Sequence, residues 1–307
     1  MNAAVQAQRQ SRLQPQPQPQ PQPTQPEAGF SLEQGVYVPA QRPQHRDDEY
    51  DPAGFDHLLA MQRDHFWYRG RHRLLLNLLR HEVRRAPATG PKRAVDLGGG
   101  CGGWIEYLHR HDPGLAPSLA LGDSSMRALQ LAAPVVSSYA QRYQIDLLNL
   151  GWSETWDLVF LLDVIEHIPE HVEVLRQARE SLRPGGLLLV TTPALQAFWT
   201  YNDELAHHQR RYNKQDFRDL AEATGLTLLR SDYFMFLLSP ALLLSRLLSR
   251  PAAQASPEQL QALMARTHRI PPRPVNALLA GVLAAEAMGV NHISYPWGTS
   301  IVAVFRR

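Results

Sequence analysis

Three aspartates each stand at or after the end of a short apolar segment in the middle of the chain. Asp96 lies within Ala94–Leu97, Asp123 follows Leu119–Gly122, and Asp146 follows Gln141–Ile145. If these segments are parallel strands, their carboxyl ends border one ligand crevice. A carboxylate beside a glycine-rich turn repels a pyrophosphate but suits a cationic amine. Asp123 is placed to accept from ribose hydroxyls and Asp146 from an adenine amino group, which favours a ligand with an amino acid head and an adenosine body.

The glycine-rich turn begins two residues after Asp96 and opens a predicted helix. Glycine permits positive φ and lets a ligand approach the backbone closely, and the helix N-terminus offers unpaired N–H groups to an anion. Gly98, Gly100 and Gly103 also satisfy the GxGxxG pattern of dinucleotide-binding proteins. A nicotinamide-dependent oxidoreductase is therefore an alternative, which the carboxylate of Asp96 disfavours.

Three segments carry a resemblance to a known family. Residues 96–102, DLGGGCG, resemble the DxGxGxG signature of class I S-adenosylmethionine-dependent methyltransferases. Residues 157–168, DLVFLLDVIEHI, resemble their fourth-strand motif, and RPGG at 183–186 is similar to the turn into their fifth strand. The resemblance implies S-adenosylmethionine as the cofactor and a Rossmann-like sheet of seven strands, the last antiparallel.

The resemblance also implies which residues hold the cofactor. The glycines would cradle its methionine portion, Asp96 its amine, Asp123 its ribose and Asp146 its adenine, and Asp163 after the fourth strand belongs to the same set. The predicted cofactor-binding residues are Asp96, Gly98, Gly100, Gly102, Asp123, Asp146 and Asp163.

Histidines are the candidates for catalysis. A hydroxyl acceptor benefits from a base whose pKa lies near the working pH, which favours histidine. His167 follows the fourth predicted strand and His208 lies in a loop after the fifth. We take both as catalytic candidates, with a structural role at a helix start as the alternative for His167.

A metal site is a further alternative near His167. Asp163, Glu166 and His167 are similar to the E-x-x-E-H metal site of some ubiquinone-pathway O-methyltransferases and RNA-end methyltransferases, with aspartate in place of the first glutamate. Oxygen and imidazole ligands could hold a divalent ion. We assign no metal to the site, and these three residues are the candidate ligands if an ion binds.

Two segments are predicted to contact the acceptor. Trp67 lies in HFWYRGR near the start of the ordered region, and His207, Arg211 and Tyr212 lie in the loop that follows the fifth strand. Aromatic and cationic side chains could bind a phenol or an anionic acceptor. A salt-linked surface loop is the alternative for the second segment.

The elements that position these residues follow from periodicity. Short apolar runs alternate with amphipathic segments from Arg93 onward, and the apolar run 158–162 predicts a sheet covered on both faces. The fold class is therefore α/β, with helices on both sides of the sheet. Residues 1–47 are predicted to be a disordered Gln/Pro-rich tail and 48–307 a methyltransferase domain, within which 234–297 forms a helical hydrophobic insertion before the last strand.

The hydrophobic insertion has two interpretations. Its charge-free run over residues 233–245 is shorter than the roughly 20 apolar residues that cross a bilayer. Two helices folded over the sheet edge are one interpretation. A peripheral membrane contact through residues 234–250, with Arg246 and Arg250 at the headgroups, is the other.

Composition narrows the function. The 31 Lys and Arg residues nearly balance 29 Asp and Glu residues, so no basic field predicts binding of nucleic acid. The single cysteine excludes an internal disulfide framework and favours a cytoplasmic location. We predict S-adenosylmethionine-dependent methylation of a small or lipid-like acceptor at oxygen, without an obligate protein partner. The alternatives are an RNA or protein methyltransferase and a non-catalytic cofactor-binding scaffold.

Overall fold

The computed structural model describes residues 29–43, 54–85, 90, 92–248 and 269–307. These residues form one mixed sheet flanked by helices. The strands, in chain order, are β1 (Phe30–Glu33), β2 (Val36–Pro39), β3 (Arg93–Leu97), β4 (Ser118–Asp123), β5 (Ala140–Gln144), β6 (Trp156–Leu162), β7 (Leu182–Pro193), β8 (Thr227–Phe234) and β9 (Ser300–Arg306). The helices are α1 (Gly54–Asp64), α2 (Phe66–Arg85), α3 (Gly103–His111), α4 (Met126–Val136), α5 (His171–Ser181), α6 (Tyr201–Leu205), α7 (Lys214–Thr224), α8 (Ser239–Leu248) and α9 (Arg273–Gly289).

The strand order is β1-β2-β5-β4-β3-β6-β7-β9-β8. Strands β5, β4, β3, β6 and β7 are parallel neighbours, and β9 lies antiparallel between β7 and β8. The predicted Rossmann-like arrangement, with an antiparallel last strand, is therefore confirmed in the seven strands from β5 to β8. The order places β3 and β6 side by side at the centre, where successive strands change from one side of the sheet to the other and ligands of α/β folds bind.

Two further strands correct the predicted tail. β1 and β2 form an antiparallel hairpin inside the stretch assigned to disorder, and β2 pairs with β5 at the sheet edge. Val36 and Val38 are buried, and the ring of Tyr37 stacks on that of Tyr143 with 4.8 Å between centroids. Burial of these side chains stabilises the strand pairing. Residues 1–28 and 44–47 of the predicted tail lie outside the described residues.

The sheet is covered on both faces, as the apolar strands predicted. Successive residues of β6 point to opposite sides, so Phe160 packs in one layer with Trp104 of α3, and Val159 packs in the other with Phe217 of α7. All seven residues of β6 are buried. The helices therefore fix the positions of the strand ends from both sides.

The hydrophobic insertion contributes α8 and α9, and residues 249–268 between them lie outside the described residues. Asn276 of α9 is buried at the junction of α1 and α2, where its side chain accepts from Phe66 N at 2.9 Å and donates to Asp64 O at 2.7 Å. Asn77 of α2 donates to Ala287 O at 2.9 Å. α9 is thus fixed along α2. Within the described residues, no helix combines the length and apolar character needed to cross a membrane.

Candidate active site

A cavity of about 1450 Å³ opens at the carboxyl ends of the central strands. Its wall includes Asp96 at the end of β3, Asp123 at the end of β4, Asp146 after β5 and Asp163 after β6. The four aspartates of the predicted cofactor set therefore border one cavity, because parallel strands deliver their carboxyl ends to the same edge.

The glycine turn forms the floor of this cavity. Gly98 and Gly99 donate to Gly122 O at 2.8 and 3.2 Å, which ties the turn to β4. Gly98 and Gly100 have φ of +70° and +56°, in the left-handed region that favours glycine. A Cβ at Gly99 would lie 2.5 Å from Asp96 Oδ2. Glycine is therefore required in this turn for two reasons, the backbone angles at Gly98 and Gly100 and the closeness of the Asp96 carboxylate to Gly99.

Gly102 differs from the other glycines of the turn. It has φ of +79° at the N-cap of α3, and a Cβ there would lie 2.8 Å from Val136 Cγ1 of α4. Gly98, Gly99 and Gly100 line the cavity, whereas Gly102 is outside its lining. Packing against α4 explains the glycine at this position, and its contact with the methionine portion of a cofactor stays a prediction.

Asp96 is the most unusual carboxylate of the cavity. Its side chain is 2% exposed, and its Oδ1 has no hydrogen-bond partner. Burial raises the pKa of Asp96 to about 7, with the nearby Arg71 guanidinium acting in the opposite direction. Such a group needs a proton or a cationic donor at neutral pH.

Asp123 and Asp146, two further aspartates of the set, differ in exposure. Asp123 is buried, its Oδ2 accepts from Gly100 N at 2.9 Å and its Oδ1 accepts from Ser125 N at 2.9 Å. Asp146 is exposed at the cavity rim and accepts from Leu148 N at 2.9 Å. The two backbone hydrogen bonds hold the Asp123 carboxylate in place. Each carboxylate oxygen can accept a second hydrogen bond, so Asp123 can also accept from a ligand.

Asp163 is engaged by a residue that the sequence did not single out for the site. Its carboxylate forms an ion pair with Arg71 of α2, whose guanidinium also lies 4.6 Å from the Trp67 ring centroid and 5.2 Å from that of Tyr68. Arg71 is 7% exposed and lines the cavity together with Trp67 and Tyr68. In the sequence this arginine is one residue of the HFWYRGR segment around Trp67. The fold brings it near enough to Asp96 to oppose the rise that burial causes in the pKa of that carboxyl.

The three possible metal ligands that lie close together in the structure are not the three that the sequence predicts. One ligand atom each from Glu166, His167 and His208 lies within 4.8 Å of the others, while Asp163 is paired with Arg71. The predicted set of Asp163, Glu166 and His167 is therefore wrong in its first member. Glu166 is fully buried, neither of its oxygens has a partner, and burial raises its pKa well above the ordinary value.

The two candidate catalytic histidines have different environments. Burial, followed by repulsion from His208, lowers the pKa of His167 to about 3. Such an imidazole stays neutral and is a weak base. The rings of His167 and His208 meet edge to face with 4.8 Å between centroids. Both line the cavity, and the environment of His167 argues against it as the base.

Asp203 organises the loop that carries His208. It is 1% exposed and accepts from His208 Nδ1 at 2.9 Å, from Arg211 Nε at 2.8 Å and from Thr200 N at 2.7 Å. Burial alone would raise the pKa of Asp203, but the hydrogen bonds from His208 and Arg211 outweigh it and hold that pKa well below its usual range. The carboxylate is therefore ionised, and Nδ1 of His208 must be the donor. This directs the lone pair of Nε2 away from Asp203.

Two predicted acceptor-binding residues do not line the cavity. His207 is exposed, with φ of +56°, and Tyr212 is 1% exposed in the core. The Tyr212 hydroxyl donates to Ile165 O at 3.2 Å and lies 2.9 Å from His171 Nδ1. Adjacent loop residues point to opposite sides, which the sequence could not assign. Arg211 does line the cavity, but its charge is paired with Asp203.

Asp203 is a site residue that the sequence did not single out. It lies in the same loop as His207, Arg211 and Tyr212, for which acceptor binding and a salt-linked surface loop were both open. A signal was present, because Thr200 and Asp203 have the spacing of a capping box, which the structure forms at α6.

Side chains of the insertion form a further part of the cavity wall. They are mainly apolar and come from the turn after β8, from α8, from the segment leading into α9 and from α9 itself. They are Met235, Leu238, Ala241, Leu242, Ser245, Arg269, Ile270, Pro271, Pro272 and Leu279. We call the part of the wall lined by the four aspartates the carboxylate-rich end of the cavity and the part lined by these side chains its apolar end.

This fold and this arrangement of carboxylates after successive strands define a class I S-adenosylmethionine-dependent methyltransferase. A sequence profile described as a methyltransferase domain matches residues 60–231, more than half of the chain. The chain belongs to this methyltransferase family.

The individual proteins that this chain resembles match it over part of its length or at low sequence identity. The chain is 36% identical over 112 residues to trans-aconitate 2-methyltransferase of Methylobacterium nodulans, a match that spans 36% of this chain and 42% of that relative. A methyltransferase of Haloferax volcanii, solved with the Trm112 methyltransferase activator, has a TM-score of 0.51 at 18% identity and covers 83% of this chain and 96% of its own. Phosphoethanolamine N-methyltransferase 2 of Haemonchus contortus has a TM-score of 0.48 at 16% identity, and the match covers 75% of this chain and 52% of that protein.

The residues present fit S-adenosylmethionine. The buried, unpartnered Oδ1 of Asp96 suits the ammonium group of its methionine portion, and the glycine turn leaves no room for a Cβ between that carboxylate and the backbone. A phosphate group would meet repulsion from the same carboxylate. The cavity therefore matches the cofactor that the family uses.

Proposed function

We propose that this enzyme methylates an oxygen atom of an apolar small or lipid-like molecule, with His208 as the general base. The observation that carries the proposal is the contact between Asp203 and His208 at the wall of a cavity that is apolar at one end. A buried carboxylate that accepts from one ring nitrogen of a histidine leaves the other nitrogen available to accept a proton.

The cofactor would be held by the carboxylate-rich end. Asp96 would accept from its ammonium group, Asp123 from its ribose hydroxyls and Asp146 from its adenine, as the sequence predicted. Arg71 supplies a positive charge beside Asp96, which suits the carboxylate of the same amino acid portion. Asp163 would contribute by holding the Arg71 guanidinium in place through their ion pair. When bound, the cofactor supplies an electrophilic methyl group on a sulfonium sulfur.

His208 would remove the acceptor's proton. The hydroxyl would donate its proton to Nε2 of His208 as its oxygen bonds the methyl carbon, and the carbon–sulfur bond would break with its electron pair left on sulfur. The acceptor would keep its charge and the histidine would gain one proton. Asp203 stabilises the resulting imidazolium from the Nδ1 side. His167, whose pKa burial lowers to about 3, stays neutral and adds no charge that would compete with this transfer.

The apolar end of the cavity favours an apolar acceptor. Leucine, methionine and proline side chains form most of the wall contributed by the insertion. One relative is named for trans-aconitate, a tricarboxylate, but of the three arginines in the cavity lining of the described residues, Arg71 would serve the cofactor's carboxylate and Arg211 is paired with Asp203. A hydroxyl on an apolar body fits this environment better than three carboxylates. Contact with a membrane through residues 234–250 is a separate prediction on which this proposal does not depend.

Paired histidine substitutions test the base. His208→Gln is expected to lower kcat by about a hundredfold or more, because a general base contributes that much to a proton-coupled step. His207→Gln alters the neighbouring histidine, which is outside the cavity lining, and is expected to leave kcat unchanged. The measurement is transfer of a labelled methyl group from S-adenosylmethionine into a cell lipid extract, as a function of pH.

Cofactor binding by calorimetry controls for folding in both variants. The proposal predicts that His208→Gln retains cofactor affinity and loses the rising limb of the pH–rate profile. Equal rates in the two variants, or a loss in both, would show that His208 is not the base.

A further inference from the structure

Large exposed apolar side chains are concentrated in the insertion. Among the described residues, nine such side chains are exposed, and eight of them fall between residues 234 and 297. They are Leu237, Leu244, Leu248, Val275, Leu278, Met288, Ile293 and Trp297. The ninth, Leu32, lies on the hairpin at the opposite edge of the sheet. Single exposed apolar residues are ordinary, whereas a concentration of this kind marks an interaction surface.

The α9 helix is apolar on two sides. Its buried side, which includes Ala280, Leu283 and Ala287, packs in the core layer shared with α2. Leu278 lies on the opposite side and is 68% exposed. A helix that only covers the sheet edge would carry polar residues at that position. The exposed side of α9 is therefore not explained by the fold.

The α8 helix has the same property. Leu238 and Leu242 face the cavity, whereas Leu244 and Leu248 are 57% and 79% exposed. Because the cavity lining also includes Leu279 of α9 and Ile270 just before that helix, the two helices border the same cavity. The exposed apolar residues thus lie beside the apolar end of the cavity.

The charges around these residues have one sign. In the described part of the insertion, Arg269 and Arg273 are exposed, and the acidic side chain is that of Glu286. Glu286 is 1% exposed and accepts from Phe236 N and Leu237 N, so it contributes no negative charge to the surface. Trp297, with a ring centroid 4.8 Å from that of Phe236, adds an amphipathic aromatic side chain. Basic and aromatic residues beside an apolar face are typical of helices that lie in a membrane interface.

We infer that α8, α9 and Trp297 form a docking surface for a bilayer that contains anionic lipids, with the apolar end of the cavity facing the bilayer. A segment that lies in the interface needs neither the length nor the hydrophobicity of a crossing helix. Resting on the proposed function, the same orientation lets an apolar acceptor reach His208 from the lipid phase without crossing water.

A bilayer fits this surface better than a second copy of the chain. In a symmetric dimer built on this surface, Arg269 and Arg273 of one copy would approach the same arginines of the other, and like charges brought together weaken association. Anionic headgroups are complementary to these arginines instead. A dimer would also cover the opening beside α8.

Vesicle flotation of the full chain tests the surface. We expect the protein to float with vesicles of phosphatidylcholine and phosphatidylglycerol, and less with phosphatidylcholine alone. Leu244→Glu and Leu278→Glu are each expected to lower the vesicle-bound fraction by about tenfold, because a charge replaces a leucine that is buried in the interface. Leu32→Glu is the matched control, since Leu32 is equally exposed outside the insertion, and it is expected to float like the unaltered protein.

Other outcomes separate the alternatives. Failure of the unaltered protein to float, or equal flotation of all three variants, would overturn the membrane surface. A concentration-dependent dimer that Leu278→Glu dissociates, seen by light scattering, would assign the surface to self-association and overturn it as well. Calorimetry of S-adenosylmethionine binding on the same samples keeps the two proposals apart, because intact cofactor binding without flotation rejects only the membrane surface.

Discussion

Asp96 combines a negative side chain with almost complete burial. A carboxylate in such a place is unfavourable unless a cation or a proton compensates it. Its Oδ1 is unpartnered, and its burial raises the pKa to about 7. The energetic cost of this residue is explained by a ligand that brings a positive charge, which is what the ammonium group of the cofactor supplies.

The raised pKa predicts a pH-dependent affinity for the cofactor. Below the pKa of about 7, Asp96 is mainly protonated and attracts the ammonium group weakly; above it, the carboxylate is ionised. We therefore expect affinity to rise by about tenfold between about pH 6 and about pH 8, following the ionised fraction. Calorimetry with S-adenosylhomocysteine, which carries the same amino acid portion, measures this directly.

Two isosteric variants complete that experiment. Asp96→Asn is expected to bind weakly at every pH and to lose the pH dependence, because the titrating group is gone. Asp146→Asn removes a carboxylate that lines the same cavity but is exposed, and it should keep the slope. An unchanged slope in Asp96→Asn would assign the pH dependence to another group.

At the scale of elements, the contact between α2 and α9 positions Arg71. Gly70 lies in this contact, where a Cβ would be 2.5 Å from Leu283 Cδ1. The close approach of the two helices therefore depends on a glycine in α2, one residue before the arginine that pairs with Asp163. Asn276 and Asn77 add side-chain hydrogen bonds at either end of the contact.

Two glycine substitutions test this contact. Gly70→Ala is expected to destabilise the fold by about 1–3 kcal/mol, because the added methyl group overpacks a tight interface. Gly281→Ala on α9 is the control, since nothing lies within 4 Å of its Cβ position, and it should stabilise the helix by about 0.5–1 kcal/mol. Urea unfolding followed by circular dichroism gives both values. A neutral or stabilising Gly70→Ala would show that the two helices separate without cost.

The element pattern also explains what the sequence could predict. The strands β3, β4, β6 and β7 were predictable because each contains a buried apolar run followed by a turn or a polar residue, whereas β5, with the sequence AQRYQ, carries a weaker signal. The β1–β2 hairpin was missed because its residues adjoin a Gln/Pro-rich stretch, although Val36 and Val38 alternate in the manner of a strand next to Gly35. Its stability depends on pairing with β5 and on the Tyr37–Tyr143 stack, which are distant in sequence.

At the scale of the whole molecule, the cavity joins a carboxylate-rich end to an apolar end. The first was predictable, because its aspartates follow successive strands and resemble a known motif. The second was not, because it arises where α8 and the segment before α9 fold back over strand ends contributed by distant parts of the chain. Residue types alone also could not show that His208 faces the cavity while His207 faces solvent, or that Arg71 meets Asp163.

The most direct test of the account is to identify the methylated product. The full chain is incubated with S-adenosylmethionine that carries a trideuteromethyl group, together with a cell extract, and the lipid, small-molecule, RNA and protein fractions are compared by mass spectrometry. The account predicts one trideuteromethyl group on an oxygen atom of an apolar compound in the lipid or small-molecule fraction, absent with His208→Gln and present with His207→Gln. Label confined to RNA or protein, or attached to nitrogen, would contradict it.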